Sequence, residues 1–369
     1  MTILPSAGSS AVKPGAGVTV RAAHGHLRAV TVTSAKGQPL RGVLADGGTI
    51  WKSAWPLRPS THYTVVATAA GTGSHEVRAT SSFTTLKPRR VVHVTMLEAS
   101  GQKYGVGMPI SLTFSHAVTN RKAVERTFSI TTSRPVVGAW YWDGNTTVDF
   151  RPRSYWTPGT KVSFTSHLAG VEVAKGVYAT HNLHVNFSIG PSLIAKVSTV
   201  THYMEIYYKG RLFGRWAIST GRPGDDTPNG HYLTIEKANP TYMTGPGYAL
   251  WVPWAVRFTW GGDYIHDAYW SVAEQGIVNV SHGCVNTSPA HAETYYKMEL
   301  PGDPVIVTGS PRPGTWDNGW TEWFLSFRKY LRGSALHQAV VAGPTGSTFV
   351  DASTVLGPSV IGPRGHGLV

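Results

Sequence analysis

Apolar and polar positions alternate in short runs along most of the chain. Ile110-Ser-Leu-Thr-Phe114 and Thr160-Lys-Val-Ser-Phe-Thr165 put an apolar side chain at every second position, the period of a strand with one buried face. From Pro191 onward, strand-like runs cover Leu193–Val200, Tyr203–Tyr208 and Arg215–Ser219. Residues Gly221–Gly230 then crowd Gly, Pro, Asp and Asn into one turn-rich loop. Helical signals are few. Asn120–Arg126 reads as a brief helix between strands. Ser288 suits an N-cap and Pro289 a first helical position, which predicts a helix to about Met298. Asp303–Thr308 reads as a last strand. Trp316–Arg332 holds Trp316, Trp320, Trp323, Phe324 and Phe327 and predicts a helix packed back on the preceding domain. Beyond about Ala335 the chain is rich in Gly, Pro, Ser and Thr, and an extended or disordered tail is expected.

The strands repeat. Pro59 and Pro158, Thr61 and Thr160, and Gly71 and Gly170 are matched at a spacing of 99 residues. Turn dipeptides Asp46-Gly47 and Asp143-Gly144 stand upstream in matching places. A period near 100 residues with alternating strands describes two β-sandwich modules of immunoglobulin size. The expected plan is a flexible lead-in at residues 1–14, modules at 15–88 and 90–190, a third domain at 191–309, a small subdomain at 310–334 and a tail at 335–369. The short linker Leu86-Lys-Pro-Arg-Arg90 restrains the hinge between the modules.

Composition narrows the function. Lys and Arg number 33 against 20 acids, a net charge of +13, which favours anionic partners. The basic residues form no run and no nucleic-acid motif accompanies them, so an anionic cell envelope is the expected partner rather than nucleic acid. No stretch of about 18 apolar residues exists to span a bilayer. Residues Met1–Gly17 lack the basic start and apolar run of a signal peptide; they read as a lead-in from which an export signal is missing. Cys284 is the chain's one cysteine, so no intrachain disulfide can form.

That cysteine lies in Ser281-His282-Gly283-Cys284-Val285-Asn286, and Tyr264-Ile-His266-Asp267 lies 14 residues upstream. A thiol attacks as thiolate, and a neighbouring imidazole can take its proton. His266 is the candidate base. Asp267, by its carboxylate or a nearby backbone carbonyl, could fix the imidazole tautomer. Gly283 permits a tight turn, and the N–H groups of Gly283 and Cys284 could face a developing oxyanion, worth about 3 kcal/mol per donor. Asn286 carries both a donor and an acceptor for a peptide amide. Three readings stay open: His282 as the base, a buried inert thiol, and a His/Cys zinc site that lacks the usual ligand spacings. A papain-like order is excluded, because there the cysteine precedes the histidine.

The spacing of His266 from Ser281-His-Gly-Cys284 resembles the L,D-transpeptidase catalytic domain of the YkuD fold. Tyr269-Trp270-Ser271-Val272-Ala273 and Gly138-Ala-Trp-Tyr-Trp142 are similar to its actinobacterial branch. The resemblance implies a mainly β chain: two immunoglobulin-like sandwiches, a YkuD-type catalytic domain and a short Trp-rich C-terminal subdomain. It implies a cysteine acyltransferase that needs no cofactor or metal. Its substrates would be peptidoglycan stem peptides, and carbapenem β-lactams its covalent inhibitors. Cys284 would be the nucleophile and His266 the base, with His282, Gly283 and Cys284 at the oxyanion hole. Tyr248, Asn286, Ser281 and Trp270 would line the substrate pocket. Asp267 departs from the Ser common in this branch. A carboxypeptidase or endopeptidase with the same site, and a non-catalytic wall-binding protein, are the alternatives.

Overall fold

Alternation along the chain becomes stacked β-sheets in a computed structural model, which describes residues 1–71, 76–245 and 247–356. In strand His62–Ala70 the inward positions are Tyr63, Val65, Ala67 and Ala69. They join Val20, Trp51, Leu57 and Phe83 in the core of the first sandwich. This core lies between a sheet of His26–Ser34, His62–Ala70 and Glu76–Thr84 and a four-stranded sheet whose outermost strand is Thr2–Leu4. The expected lead-in at residues 1–14 is therefore structured. Thr2–Leu4 pairs antiparallel with Thr19–Arg21, Ile3 packs against the core, and the Pro14 carbonyl accepts from Leu57 N–H at 3.0 Å. An edge strand left unpaired would have exposed its ladder groups, and the first residues cover it.

The second sandwich has an aromatic core of Phe114, Phe128, Trp140, Phe150, Trp156 and Phe164. Trp140 and Phe128 lie 4.4 Å apart between centroids. Helix Arg121–Glu125 stands where the sequence predicts one. The expected extended or disordered tail is a correction. Gln338–Gly343 pairs antiparallel with Val136–Asp143, and Gly346–Asp351 closes the hairpin, making a six-stranded sheet. Buried Glu125 ties the segment down by accepting from Trp142 Nε1–H (2.7 Å), Ser334 Oγ–H (2.7 Å) and Ala335 N–H (2.5 Å). Part of the predicted tail, residues 357–369, lies outside the described residues.

Residues Leu193 to Thr308 form a nine-stranded sheet backed by helix Pro289–Met298. Pro289 takes the first helical position, while Ser288 makes no capping bond with its side chain. Strand Tyr264–Asp267 runs parallel to Val285–Thr287, with Ile265 opposite Val285 and His266 opposite Asn286. A hairpin, Thr241–Gly245 with Tyr248–Val252, stands apart from this sheet.

The predicted helix over Trp316–Arg332 is mostly irregular; only Glu322–Phe324 and Phe327–Leu331 are helical. Gly319 at φ +135° breaks any longer helix. The aromatic side chains then serve several partners instead of one helical stripe. Trp323 donates Nε1–H to Gly107 O at 2.8 Å, and Arg151 lies between Trp323 and Tyr330 at 4.5 and 4.6 Å. A chain ending at His337 bares the edge of Val136–Asp143. It is expected to melt at least about 4 °C lower and to self-associate, checked by calorimetry and light scattering; an unchanged melting temperature would refute the role given to the hairpin.

Candidate active site

The Ser-His-Gly-Cys segment is a knotted turn. Ser281 Oγ–H donates to Cys284 O at 2.6 Å, and Gly283 N–H donates to Ser281 Oγ at 3.1 Å. Ser281 N–H donates to Thr220 O at 3.0 Å, and Arg222 N–H to Ser281 O at 2.9 Å. Thr227 Oγ–H holds Gly283 O at 2.6 Å and in turn accepts from Gly221 N–H at 2.9 Å. The turn-rich loop Gly221–Gly230 is thus its scaffold. Gly283 has φ +129°, and a Cβ there would lie 2.4 Å from Asp263 Oδ1. Only glycine meets both demands without strain.

Parallel pairing of the two strands sets the rest. Paired residues in a sheet share a face, so His266 lies with Asn286, and Cys284 stands two residues before Asn286. Both Cys284 and His266 line one cleft of about 400 Å³, together with Tyr248, Trp270, Ser281, His282 and Asn286. His266 is buried, and its Nδ1–H donates to the Asp267 backbone carbonyl at 2.8 Å. A carbonyl can only accept, so Nδ1 carries the hydrogen and Nε2 is left with a free lone pair. Of the two partners open at Asp267, the backbone is the one used; its carboxylate Oδ1 has no hydrogen-bond partner. Trp270 stacks on the imidazole at 5.9 Å.

Burial sets both proton affinities. It lowers the His266 imidazole to about 4, the Asp267 carbonyl opposing. It pushes the Cys284 thiol up to about 12, and the nearby Asp263 carboxylate adds to the rise. The resting pair is therefore a neutral imidazole and a neutral thiol, whose S–H points to Gly262 O at 3.7 Å. Tyr248 packs against His282 with ring centroids 4.8 Å apart and planes tilted by 36°, and its phenol is raised by burial and by the negative charge that Cys284 would carry.

Two expectations change. The Gly283 N–H is occupied by Ser281 Oγ, so it is not a free oxyanion donor. Asn286 is buried, and its Nδ2–H group donates to Ser271 Oγ at 2.9 Å, so part of the amide is engaged within the fold.

Residues 192–307 match the L,D-transpeptidase catalytic domain, and residues 9–172 match a bacterial Ig domain. L,D-transpeptidase 2 of Mycobacterium tuberculosis is 33% identical over 334 residues, covering 86% of this chain and 82% of its own. The chain belongs to the L,D-transpeptidase family. L,D-transpeptidase 5 of Mycobacterium tuberculosis is 30% identical over 348 residues, covering 91% and 77%. A solved structure of the LD transpeptidase LdtMt1 in complex with imipenem is 34% identical, with a TM-score of 0.50, over 60% of this chain and all of that one. The chain is accordingly mainly β, with an Ig-like part and a YkuD-fold catalytic domain, and an enzyme of the transpeptidase type.

Sequence reasoning missed two residues of this candidate site. Thr227 fixes the Gly283 carbonyl, and buried Asp263, which accepts from Thr259 Oγ–H at 2.6 Å, packs against Gly283 and acts on the Cys284 charge. Both sit in turn-forming stretches, Gly221–Gly230 and Gly261-Gly262-Asp263, where density of turn residues was the available signal. Iodoacetamide alkylation of Cys284 should rise about tenfold per pH unit from 7 to 9 without a plateau, because the thiol's affinity for its proton is raised. Asp263→Asn should raise the rate at pH 7; a plateau below pH 8 in the parent protein would contradict the neutral pair. Gly283→Ala should cost about 1–3 kcal/mol of folding stability by denaturant titration.

Proposed function

We propose that the enzyme forms cross-links between peptidoglycan stem peptides through a thioester on Cys284. The observation that carries this reading is the shared cleft, which His266 and Cys284 both line while the Asp267 carbonyl engages Nδ1 of His266 and leaves Nε2 for the thiol proton. A tetrapeptide stem would enter as donor. As the sulfur attacks the carbonyl carbon of the third, diamino-acid residue, the thiol proton passes to His266 Nε2 and the S–C bond forms. Collapse of the tetrahedral oxyanion breaks the C–N bond to the terminal D-Ala, whose amine takes the proton back from His266. An amine on a neighbouring stem then attacks the thioester and gives its proton to His266, which passes it to the departing sulfur as the C–S bond breaks, leaving a 3→3 link and the neutral pair.

The neutral resting pair fits this order, because proton removal accompanies attack and no ion pair need persist in the buried cleft. Cys284 N–H and the Tyr248 hydroxyl are the proposed oxyanion donors; the proximity of Tyr248 to the Cys284 charge supports the latter. His282 acts as the surface on which Tyr248 rests. Trp270 holds the imidazole in plane, and the Asp267 carbonyl holds its tautomer. Ser281 and Gly283 hold the turn, and Asn286 presents what remains of its amide to the substrate. Met243, Leu250 and Val252 give the cleft an apolar wall, and with exposed Trp270 they offer a surface for a second stem, which supports transfer over hydrolysis by water. The substrate places the enzyme outside the cytoplasm, in the cell envelope. Carbapenems, as carbonyl electrophiles, would acylate the same sulfur.

Intact-mass measurement after imipenem exposure should give a single adduct, absent in Cys284→Ala. His266→Gln should slow acylation about 10²- to 10⁴-fold. Incubation with a purified disaccharide-tetrapeptide should yield a cross-linked dimer; release of D-Ala without dimer would move the assignment to a carboxypeptidase, and no adduct at all would leave a wall-binding protein.

A further inference from the structure

The positive charge is unevenly placed. Residues 1–90 carry eleven Lys and Arg and two acids, Asp46 and Glu76, a net +9 of the chain's +13. All eleven are exposed. Each ion pair among the described residues lies beyond residue 221, so none of them is neutralised at close range. This is a field concentrated on one module at the opposite end of the chain from the cleft, and the cysteine chemistry does not use it.

The junction of the two sandwiches gives that field a shape. A cavity of about 380 Å³ is lined by Arg41, Arg58, Trp55 and Tyr63 of the first module and His167 and Asn182 of the second, with no acid on its walls. Trp55 stacks on His167 at 3.8 Å and 10°. Across Trp55 a second cavity, about 510 Å³, carries Lys13 and Arg126, with Glu172 as its one acid, occupied at Oε1 by Gly176 N–H. The groove is preformed, since the modules meet so closely that a Cβ on Gly170 would lie 2.0 Å from Leu57 O. Asn182 spends only its carbonyl, on Ala169 N–H at 2.9 Å, and its amide hydrogens remain for a ligand.

We propose that this junction is a binding groove for an acidic saccharide chain. Guanidinium forks of Arg41 and Arg58 would take its carboxylate or phosphate oxygens. The half-buried ring of Trp55 would meet sugar C–H faces, and Asn182 with Ser34 and Gln38 would meet hydroxyls. The cations on both sides of Trp55 suit a linear polyanion that crosses the junction. Such a grip would hold the first module to the wall polymer while the catalytic cleft works on stems. It stands apart from the thioester reading, because no residue of the groove touches the cleft.

Fluorescence anisotropy of the full chain tests this, with labelled oligogalacturonate, a phosphorylated maltooligosaccharide, neutral maltooligosaccharide and oligo(dT) of equal length. The two acidic glycans should bind, more weakly as salt rises, and their ratio tells carboxylate from phosphate. R41Q/R58Q should weaken binding about tenfold or more, a loss of the size expected for charge-assisted contacts. R28Q/R78Q removes the same charge about 17 Å away, five residues along the sheet, and should change affinity less than about twofold. Imipenem acylation should be unchanged in both. Equal weakening by both pairs, neutral glycan binding as tightly as acidic, or oligo(dT) binding tighter than either glycan through Arg41 and Arg58 would overturn the proposal.

Discussion

Everything in the cleft depends on a short parallel ladder. Tyr264–Asp267 beside Val285–Thr287 fixes which side chains share a face, and a slip of one residue would send His266 and Asn286 to opposite sides. Two parallel strands cannot be joined by a tight hairpin. The chain between them therefore makes a long crossover, and its end becomes the Ser281–Cys284 turn. Thr220, Arg222 and Thr227 brace that turn from a third segment. The backbone of Cys284 is thus fixed by hydrogen bonds on both sides of the turn.

Burial does the electrostatic work. With the imidazole lowered and the thiol raised, the His266–Cys284 pair is uncharged at neutral pH, and the desolvation that suppresses the ion pair also strengthens any dipole aimed at a developing oxyanion. Asp263 runs against thiolate formation. Its place beneath Gly283 reflects packing of the turn, and its own carboxyl is raised by burial. The same logic recurs away from the cleft, where Asp149 and Glu322 are both held well above the usual carboxylate range beside buried Arg151. Arg151, between aromatic rings of the C-terminal segment, donates to the backbone carbonyls of Pro152 and Leu325 and joins the second sandwich to the C-terminal segment.

The sequence by itself determined what short-range physics controls. Period-two alternation marked the strands, Pro289 marked a helix start, and the spacing of His266 from Ser-His-Gly-Cys284 marked the candidate pair that the fold brings to one cleft. These signals lie within a few residues of the atoms they govern. Tertiary structure decided the rest. Whether the His266 ring used a carboxylate or a carbonyl depended on how the strand turned after Asp267. The Gly283 N–H was lost to Ser281 Oγ by the curl of the turn. Residues 338–351, whose short Val-Val and Thr-Phe-Val runs are interrupted by Gly and Pro, became strands because Val136–Asp143 offered an edge and Glu125 a buried acceptor some two hundred residues earlier. The Trp-rich segment failed as a helix because its rings are drawn to several separate surfaces. The junction groove is assembled from Arg41, Trp55, Arg58, His167 and Asn182, which no window of sequence brings together. Pairing and burial depend on what the remainder of the fold leaves open, and that is set only when distant segments meet.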